Sequence, residues 1–230
     1  MLFGRNEDDP TPGLEWDRDG PWLDNAGRSD RTTVDHDGET YVCRHTTSAD
    51  GDRSIAYGTP GKDEQSRGFL FREGALKWTI PLEHPTLGLV ADDGTVLILE
   101  GGAADRLDGT VRVFDADGKS RFVREFDANV SDVDLSEDGR VAVVRTKPPD
   151  ETTYLIDVTA GTVRLTHTSE WASPRHARLY SSDEGWIVYL SQALEKKPLY
   201  AIDLDGDLVW EGRSYRQMKP LSARLKSRLS

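Results

Sequence analysis

Two punctuation marks recur along this 230-residue chain at nearly one spacing. An acid-glycine pair precedes an apolar run at Asp37-Gly38, Asp93-Gly94, Asp138-Gly139 and Glu184-Gly185. A glycine also follows an extended apolar segment at Gly74, Gly118, Gly161 and Gly206. The first series advances by 56, 45 and 46 residues, the second by 44, 43 and 45. Two independent series that share a period define four copies of one unit. Such units bury their apolar faces mainly against their neighbours in the chain.

The second copy shows what a unit contains. Leu87–Ala91 leads through Asp92-Asp93-Gly94 into Thr95–Leu99. After the loop Gly101–Gly109, Val111–Asp115 leads through Ala116-Asp117-Gly118 into Phe122–Phe126. Asp-Gly between apolar segments marks a hairpin, because glycine accepts positive φ and the aspartate bonds its own backbone. The second segments are continuous in apolar residues (Val96–Leu99, Val141–Val144, Trp186–Leu190), which predicts burial on both faces. The fourth segments alternate, as at Leu76, Trp78 and Ile80 or Val163 and Leu165, which predicts one wet face.

Strands buried inside and half-wet outside give the radial profile of a propeller blade. The expectation is an all-β fold, a small β-propeller of about four four-stranded antiparallel blades. The units run over residues 28–84, 85–129, 130–174 and 175–215, together forming a repeat domain over 28–215. Residues 1–27 form an N-terminal segment, partly disordered or an added strand. Residues 216–230 form a basic tail. Four blades sit at the lower limit for closure. The favoured arrangement is four closed blades with the N-terminal segment packed against them. In the alternatives, Gly13–Asn25 adds strand or two chains complete one another.

Acids outnumber bases 41 to 29, for a net charge of −12. That balance argues against nucleic-acid binding, which needs clustered Lys and Arg. The Asp-rich, Lys-poor composition resembles that of proteins from extreme halophiles, the haloarchaeal type, where acidic surfaces keep proteins hydrated in salt. No apolar run near Met1 would serve as a signal segment, and no 18 apolar residues run together. A cytoplasmic protein without a membrane span is expected. Cys43 is the only cysteine, so neither an intrachain disulfide nor a cysteine zinc site can form, and it reads as a small core residue.

The stretch Leu199–Trp210 is similar to a repeat of the quinoprotein-like propellers: Ala201-x-Asp203, then Gly206, then Trp210 four residues later. Trp78 follows Gly74 by four, and Phe122 and Leu165 hold that place after Gly118 and Gly161. Asp115 and Asp157 match Asp203, while the first unit has Arg72 there. The repeats thus resemble quinoprotein-like and WD40-like propellers over residues 28 to 215, without the Trp-Asp and Gly-His marks of the latter. The resemblance implies a fold and no bound quinone, and no cofactor is expected.

In such blades the one-two and three-four turns share one face. The two-three loops and inter-blade connections share the other, here Thr46–Arg67, Gly101–Gly109, Lys147–Thr152 and Ser191–Pro198. Loops on a rigid scaffold are the usual place for recognition. Polar residues also gather where first strands enter the centre. His84, Asp132, Asp134, Arg175, His176 and Arg178 are the candidate binding residues, a ring able to hold a metal or an anion, or simply the wet lining of a channel. His84 and His176 have no ligand partner at i+2 or i+4, so zinc spacing is absent there. No nucleophile elbow, P-loop or His-Glu-x-x-His motif occurs, and no catalytic residue or metal ligand is assigned. Asp115–Gly118 and Asp203–Asp207 read as hairpin turns, lacking EF-hand length and the terminal Glu. His36 and His167 read as solvated. Leu221, Leu225 and Leu229 lie four apart, so Pro220 onward fits a short basic amphipathic helix, either a docking tail for an acidic partner or membrane surface or, as favoured, a frayed terminus resting on the acidic body.

The expected function is therefore a non-enzymatic binding or scaffold protein. It would present the loop face to a macromolecular partner, a protein, as a monomer or small homo-oligomer. The alternative is a metal- or anion-binding sensor or enzyme using the channel mouth.

Overall fold

The computed structural model describes residues 30–61, 64–101, 108–183, 185–193 and 198–220. The first sheet holds β1 (Asp30–His36), β2 (Glu39–Thr47), β3 (Arg53–Thr59), β4 (Ser66–Arg72) and β5 (Ala75–Leu82). The second holds β6 (Pro85–Val90), β7 (Val96–Gly101), β8 (Gly109–Phe114) and β9 (Ser120–Phe126). The third holds β10 (Val130–Leu135), β11 (Val141–Thr146), β12 (Thr153–Asp157) and β13 (Thr162–His167). The fourth holds β14 (His176–Ser182), β15 (Gly185–Ser191), β16 (Tyr200–Asp203) and β17 (Leu208–Glu211), followed by the short helix α1 (Arg213–Met218). Every sheet is an antiparallel meander in chain order. The fold is a small all-β propeller of four blades. Among the described residues, no helix is long and apolar enough to cross a membrane.

The first blade shifts the repeat phase read from the sequence. Its one-two turn is not Asp37-Gly38 but Asp50-Gly51. There Gly51 N–H donates to Ser48 O, as Gly94 N–H does to Ala91 O and Gly139 N–H to Ser136 O. Measured from Gly51, the first step falls from 56 to 43 residues, in line with the others. Asp37-Gly38 turns an extra hairpin, β1–β2, that adds a fifth strand on the inner edge of this sheet. The span Thr46–Arg67 is accordingly not one loop, since β3 lies within it. The apolar run of β3, Ile55-Ala56-Tyr57, is only three residues long, too short to stand out by periodicity.

Burial follows the radial expectation. Second strands such as β11 are buried almost throughout, while the outer β13 alternates exposed and half-buried residues. Three apolar cores lie between consecutive sheets. Ile55, Leu70, Val96 and Ile98 join the first to the second; Leu97, Val113, Val133 and Val144 the second to the third; Val143, Leu155, Val188 and Ile202 the third to the fourth. At the outer rim, each junction also brings a fourth strand against the next blade's three-four turn. A Cβ on Gly118 would sit 3.1 Å from the Trp78 ring, and one on Gly206 would sit 2.9 Å from Leu165. A Cβ on Gly161 would likewise sit 2.5 Å from the backbone oxygen of Arg121. A Cβ on the corresponding Gly74 of the first blade would meet nothing within 4 Å among the described residues beyond its chain neighbours. Among the described residues, no strand packing of comparable extent joins the fourth sheet to the first.

The β1–β2 hairpin instead folds over its own sheet. His36 and Tyr41 both pack edge-on against Phe69 of β4, with ring centroids 5.5 and 5.0 Å away. His36 is thus a half-buried packing residue, not the solvated turn residue expected. The bend requires β2 to pass very close to β3 at Gly58, where a Cβ would lie 2.1 Å from Val42 O and 2.7 Å from Cys43 Cα. Backbone cannot yield there as a flexible side chain would. Gly58→Ala is expected to destabilise the fold by about 1–3 kcal/mol, read as the midpoint shift in denaturant titration. An unchanged midpoint would mean that the hairpin does not press on β3.

Candidate functional site

The inner edge of β14 pairs with no strand, so its outward N–H groups need other acceptors. Two aspartates of β10 supply them. Oδ2 of Asp132 accepts the Ala177 N–H at 3.1 Å, and Oδ2 of Asp134 accepts the Leu179 N–H at 2.9 Å. Spacing by two puts both carboxylates on one side of β10 while Val133 turns into the core behind them. A register shift between Val130 and Asp132 marks the start of this strand. Oδ2 of Asp132 also receives Arg178 Nη1 and lies 3.3 Å from Nδ1 of His176. Arg178 Nη1 donates further to Ala177 O at 2.9 Å.

Four of the six predicted residues, Asp132, Asp134, His176 and Arg178, are therefore together at the junction of the third and fourth blades. They are largely committed to one another and to backbone. His84 and Arg175 are exposed and join no contact in this cluster. Among the described residues, no group of three or more His, Cys, Asp or Glu side chains is placed to hold a metal ion.

Burial pushes the Asp134 carboxyl up to about 6, against the opposing pull of Arg178 and of the two N–H groups it accepts. Its folded pKa lies above the unfolded value, so the stability it contributes is fully present below the unfolded pKa and is lost as pH rises through about 6. His167 works in the opposite sense. Burial, then the charge of Arg145, lowers its pKa, so its contribution is lost as pH falls below the usual imidazole range. Comparison with Asp134→Asn separates the two groups. Between pH 7 and 5 the wild type should gain stability relative to that variant, read from thermal midpoints. A constant difference would show that Asp134 does not titrate there.

On the loop face, sequence reasoning missed the organising residue. Arg145 ends the apolar run of β11 and is 1% exposed. Its Nε donates to Pro174 O at 2.8 Å, in the connection to the fourth blade. Its Nη1 donates to Glu151 O and lies 3.4 Å from Thr153 Oγ1. One guanidinium thus ties the loop after β11 to the inter-blade connection. Asp150 holds the same loop from within, accepting from Thr146 Oγ1 at 2.9 Å, Thr152 Oγ1 at 2.8 Å and Tyr154 OH at 2.7 Å. Burial raises the Asp150 carboxyl, but these donors and Arg124 outweigh it and hold its pKa below the usual range. Arg124 lies over the Tyr154 ring at 4.6 Å. His167 is not solvated, as its Nε2 lies 3.0 Å from Tyr200 OH, and Tyr200 stacks on Tyr215 of α1 at 4.4 Å. Lys147, Pro148 and Pro149 remain exposed on this braced base. The only legible signal was a charged residue closing a buried run.

The opposite face carries two open grooves between turns, of about 360 and 380 Å³. The first is lined by Asp93, Asp115, Asp117, Arg121 and Arg140, the second by Asp138, Asp157, Arg164 and Trp186. Asp115 already pairs with Arg121 at 2.9 Å, and Arg164 with Asp205 at 2.6 Å. Asp115 and Asp203 also cap their own turns, each accepting two backbone N–H groups through Oδ1, as hairpin turns do. These grooves are seams between blades, and Asp115, Arg121 and Arg164 among their lining charges are already in ion pairs. The predicted tail helix beyond Pro220 and the predicted N-terminal segment over residues 1–27 lie outside the described residues.

No family model matches the sequence, and no curated protein matches it. Among solved structures, a eukaryotic initiation factor is similar, with 16% identity and a TM-score of 0.44 over 58% of this chain. This chain spans 33% of that one.

Proposed function

We propose that the protein is a non-enzymatic binding scaffold that presents its loop face to a protein partner. The observation that carries this reading is the bracing of the loop over residues 147–152. Arg145 and Asp150 fix its base from two sides, while Lys147-Pro148-Pro149 stands in solvent. A loop ordered before binding loses little entropy on association. The likeness to quinoprotein-like propellers supports the scaffold reading, because the Gly and Trp positions of that pattern act here as blade-to-blade packing, as with Trp78 on Gly118.

Capture from a lysate of the producing cells at multimolar salt tests it. The wild type is expected to recover a stoichiometric partner, and Lys147→Glu with Arg175→Glu to lose it, while Asp117→Lys on the turn face keeps it. Recovery of no partner, or loss only with Asp117→Lys, would overturn the reading.

One observation favours a second reading, an anion sensor at the channel mouth. Nε of Arg178 is buried and has no acceptor among the described residues. Sulfate or phosphate that raises the thermal midpoint of the wild type but not of Arg178→Lys would support this. No shift with either ion would remove it.

A further inference from the structure

Arg145, Thr153 and His167 form one row across the third sheet, since Arg145 pairs in register with Thr153 and Thr153 with His167. Directly paired residues project to the same side of a sheet. The row meets Tyr200 of β16, in the core between the third and fourth sheets, where Nε2 of His167 lies 3.0 Å from Tyr200 OH. The Ser169 side chain also bonds the Tyr200 hydroxyl, and Ser169 Oγ accepts the Ala172 N–H at 3.2 Å. His167 is thereby linked through Tyr200 to the connection over residues 168–174, and Arg145 holds the same connection at Pro174 O.

The surroundings of His167 disfavour a second positive charge. Arg145 stands two strands away on β11, roughly 10 Å between backbones, and its charge acts on the imidazole. Tyr200 of β16 and Tyr215 of α1 are both buried, and burial pushes the Tyr200 hydroxyl up to about 12, so it stays neutral. The nearby carboxylates of Asp150 and Glu151 act on Arg145, and Glu170 is exposed. Burial, then Arg145, lowers the His167 pKa. The folded value lies below the unfolded one, so the closed form keeps the imidazole neutral. Protons favour any form in which the ring reaches water.

We propose that His167 makes the brace of the loop face acid-labile. On taking up a proton from solvent, His167 turns away from Tyr200, the connection over 168–174 lifts, and Arg145 loses Pro174 O. The loop over residues 147–152 then keeps only its internal ties through Asp150. This regulation rests on the loop-face reading for its purpose, holding a partner at neutral pH and releasing it in acid. The opening is local, because β7 and β8 of the second sheet take no part in it.

Amide hydrogen exchange of the full chain, corrected for the intrinsic pH dependence of exchange, tests the release without a partner. Between pH 7.5 and 5.5 the protection of residues 147–152 and 168–174 should fall about tenfold relative to β7 and β8. That is the factor by which an imidazole of ordinary pKa takes up its proton over this span. His167→Gln can still bond Tyr200 OH but cannot titrate, and its protection should not fall. An equal fall in both proteins would assign the loosening to other groups and overturn the proposal, as would unchanged protection in the wild type. Should the variant not fold, NMR titration of the wild-type imidazole decides. His167 protonating in the ordinary imidazole range while the loops stay protected would overturn the proposal. Capture from lysate at the two pH values keeps the two readings apart. A partner held at pH 7.5 and released at pH 5.5 by the wild type alone supports the proposal. A partner held equally at both, while the loops loosen, overturns it. Loosening with no partner captured at either pH removes the loop-face reading and leaves the acid-labile brace standing.

Discussion

Replacing Arg145 by alanine should destabilise the protein by about 3 kcal/mol or more and loosen the loop face before the rest of the fold. The guanidinium is among the largest fully buried side chains, and its acceptors, Pro174 O, Glu151 O and Thr153 Oγ1, are drawn from two separate loop segments and one strand. Hydrogen bonds from a charged donor are worth about 1.5–3 kcal/mol each when the partner would otherwise be left dry. The truncation removes at least two such bonds and leaves a hole where the side chain lay. Lysine would not restore them, because one ammonium cannot span both carbonyls in the fork geometry. Denaturant titration gives the loss. Hydrogen exchange should show faster exchange at residues 147–152 and 168–174 than in β7 or β8. A loss below ~1 kcal/mol would mean that these loops are held by their own contacts and that Arg145 is only packed.

Asp132→Ala is the second large effect, expected at about 3–5 kcal/mol, the usual range when one partner of a buried ion pair is removed. Arg178 would keep its charge in a site where its side chain is 9% exposed, and the Ala177 N–H would lose its acceptor. The double variant Asp132→Ala with Arg178→Met discriminates between mechanisms. If the cost comes from the stranded charge, the double variant recovers much of it. If the aspartate matters mainly as a cap on the edge of β14, the two losses add. A loss under ~1 kcal/mol for Asp132→Ala would show that the cluster is not a structural latch and would reopen it as a ligand site.

These two residues mark how far the sequence was readable. The repeat, the strand count of three blades and the radial burial were legible because they rest on glycine at positive φ and on apolar periodicity, both local properties. The first blade was misphased because Asp37-Gly38 and Asp50-Gly51 are equally good turn signals. Only pairing shows which one lies between blade strands and which turns the added hairpin. The clustering of Asp132, Asp134, His176 and Arg178 followed from their place near the inner strands. Their role did not, since capping a free strand edge depends on which N–H groups lack a ladder partner. Arg145 was invisible for a related reason. A lone arginine after four apolar residues reads as the wet end of a strand until the carbonyls of two distant segments are found converging on it.

The central claim is that recognition belongs to the braced loop face and not to the turn face with its grooves. A photoactivatable residue placed at Pro149, compared with one at Asp117, tests it most directly in the captured complex. The account predicts a covalent adduct to the partner from position 149 and none from position 117. An adduct from position 117 alone would contradict it and move the binding surface to the opposite side of the propeller.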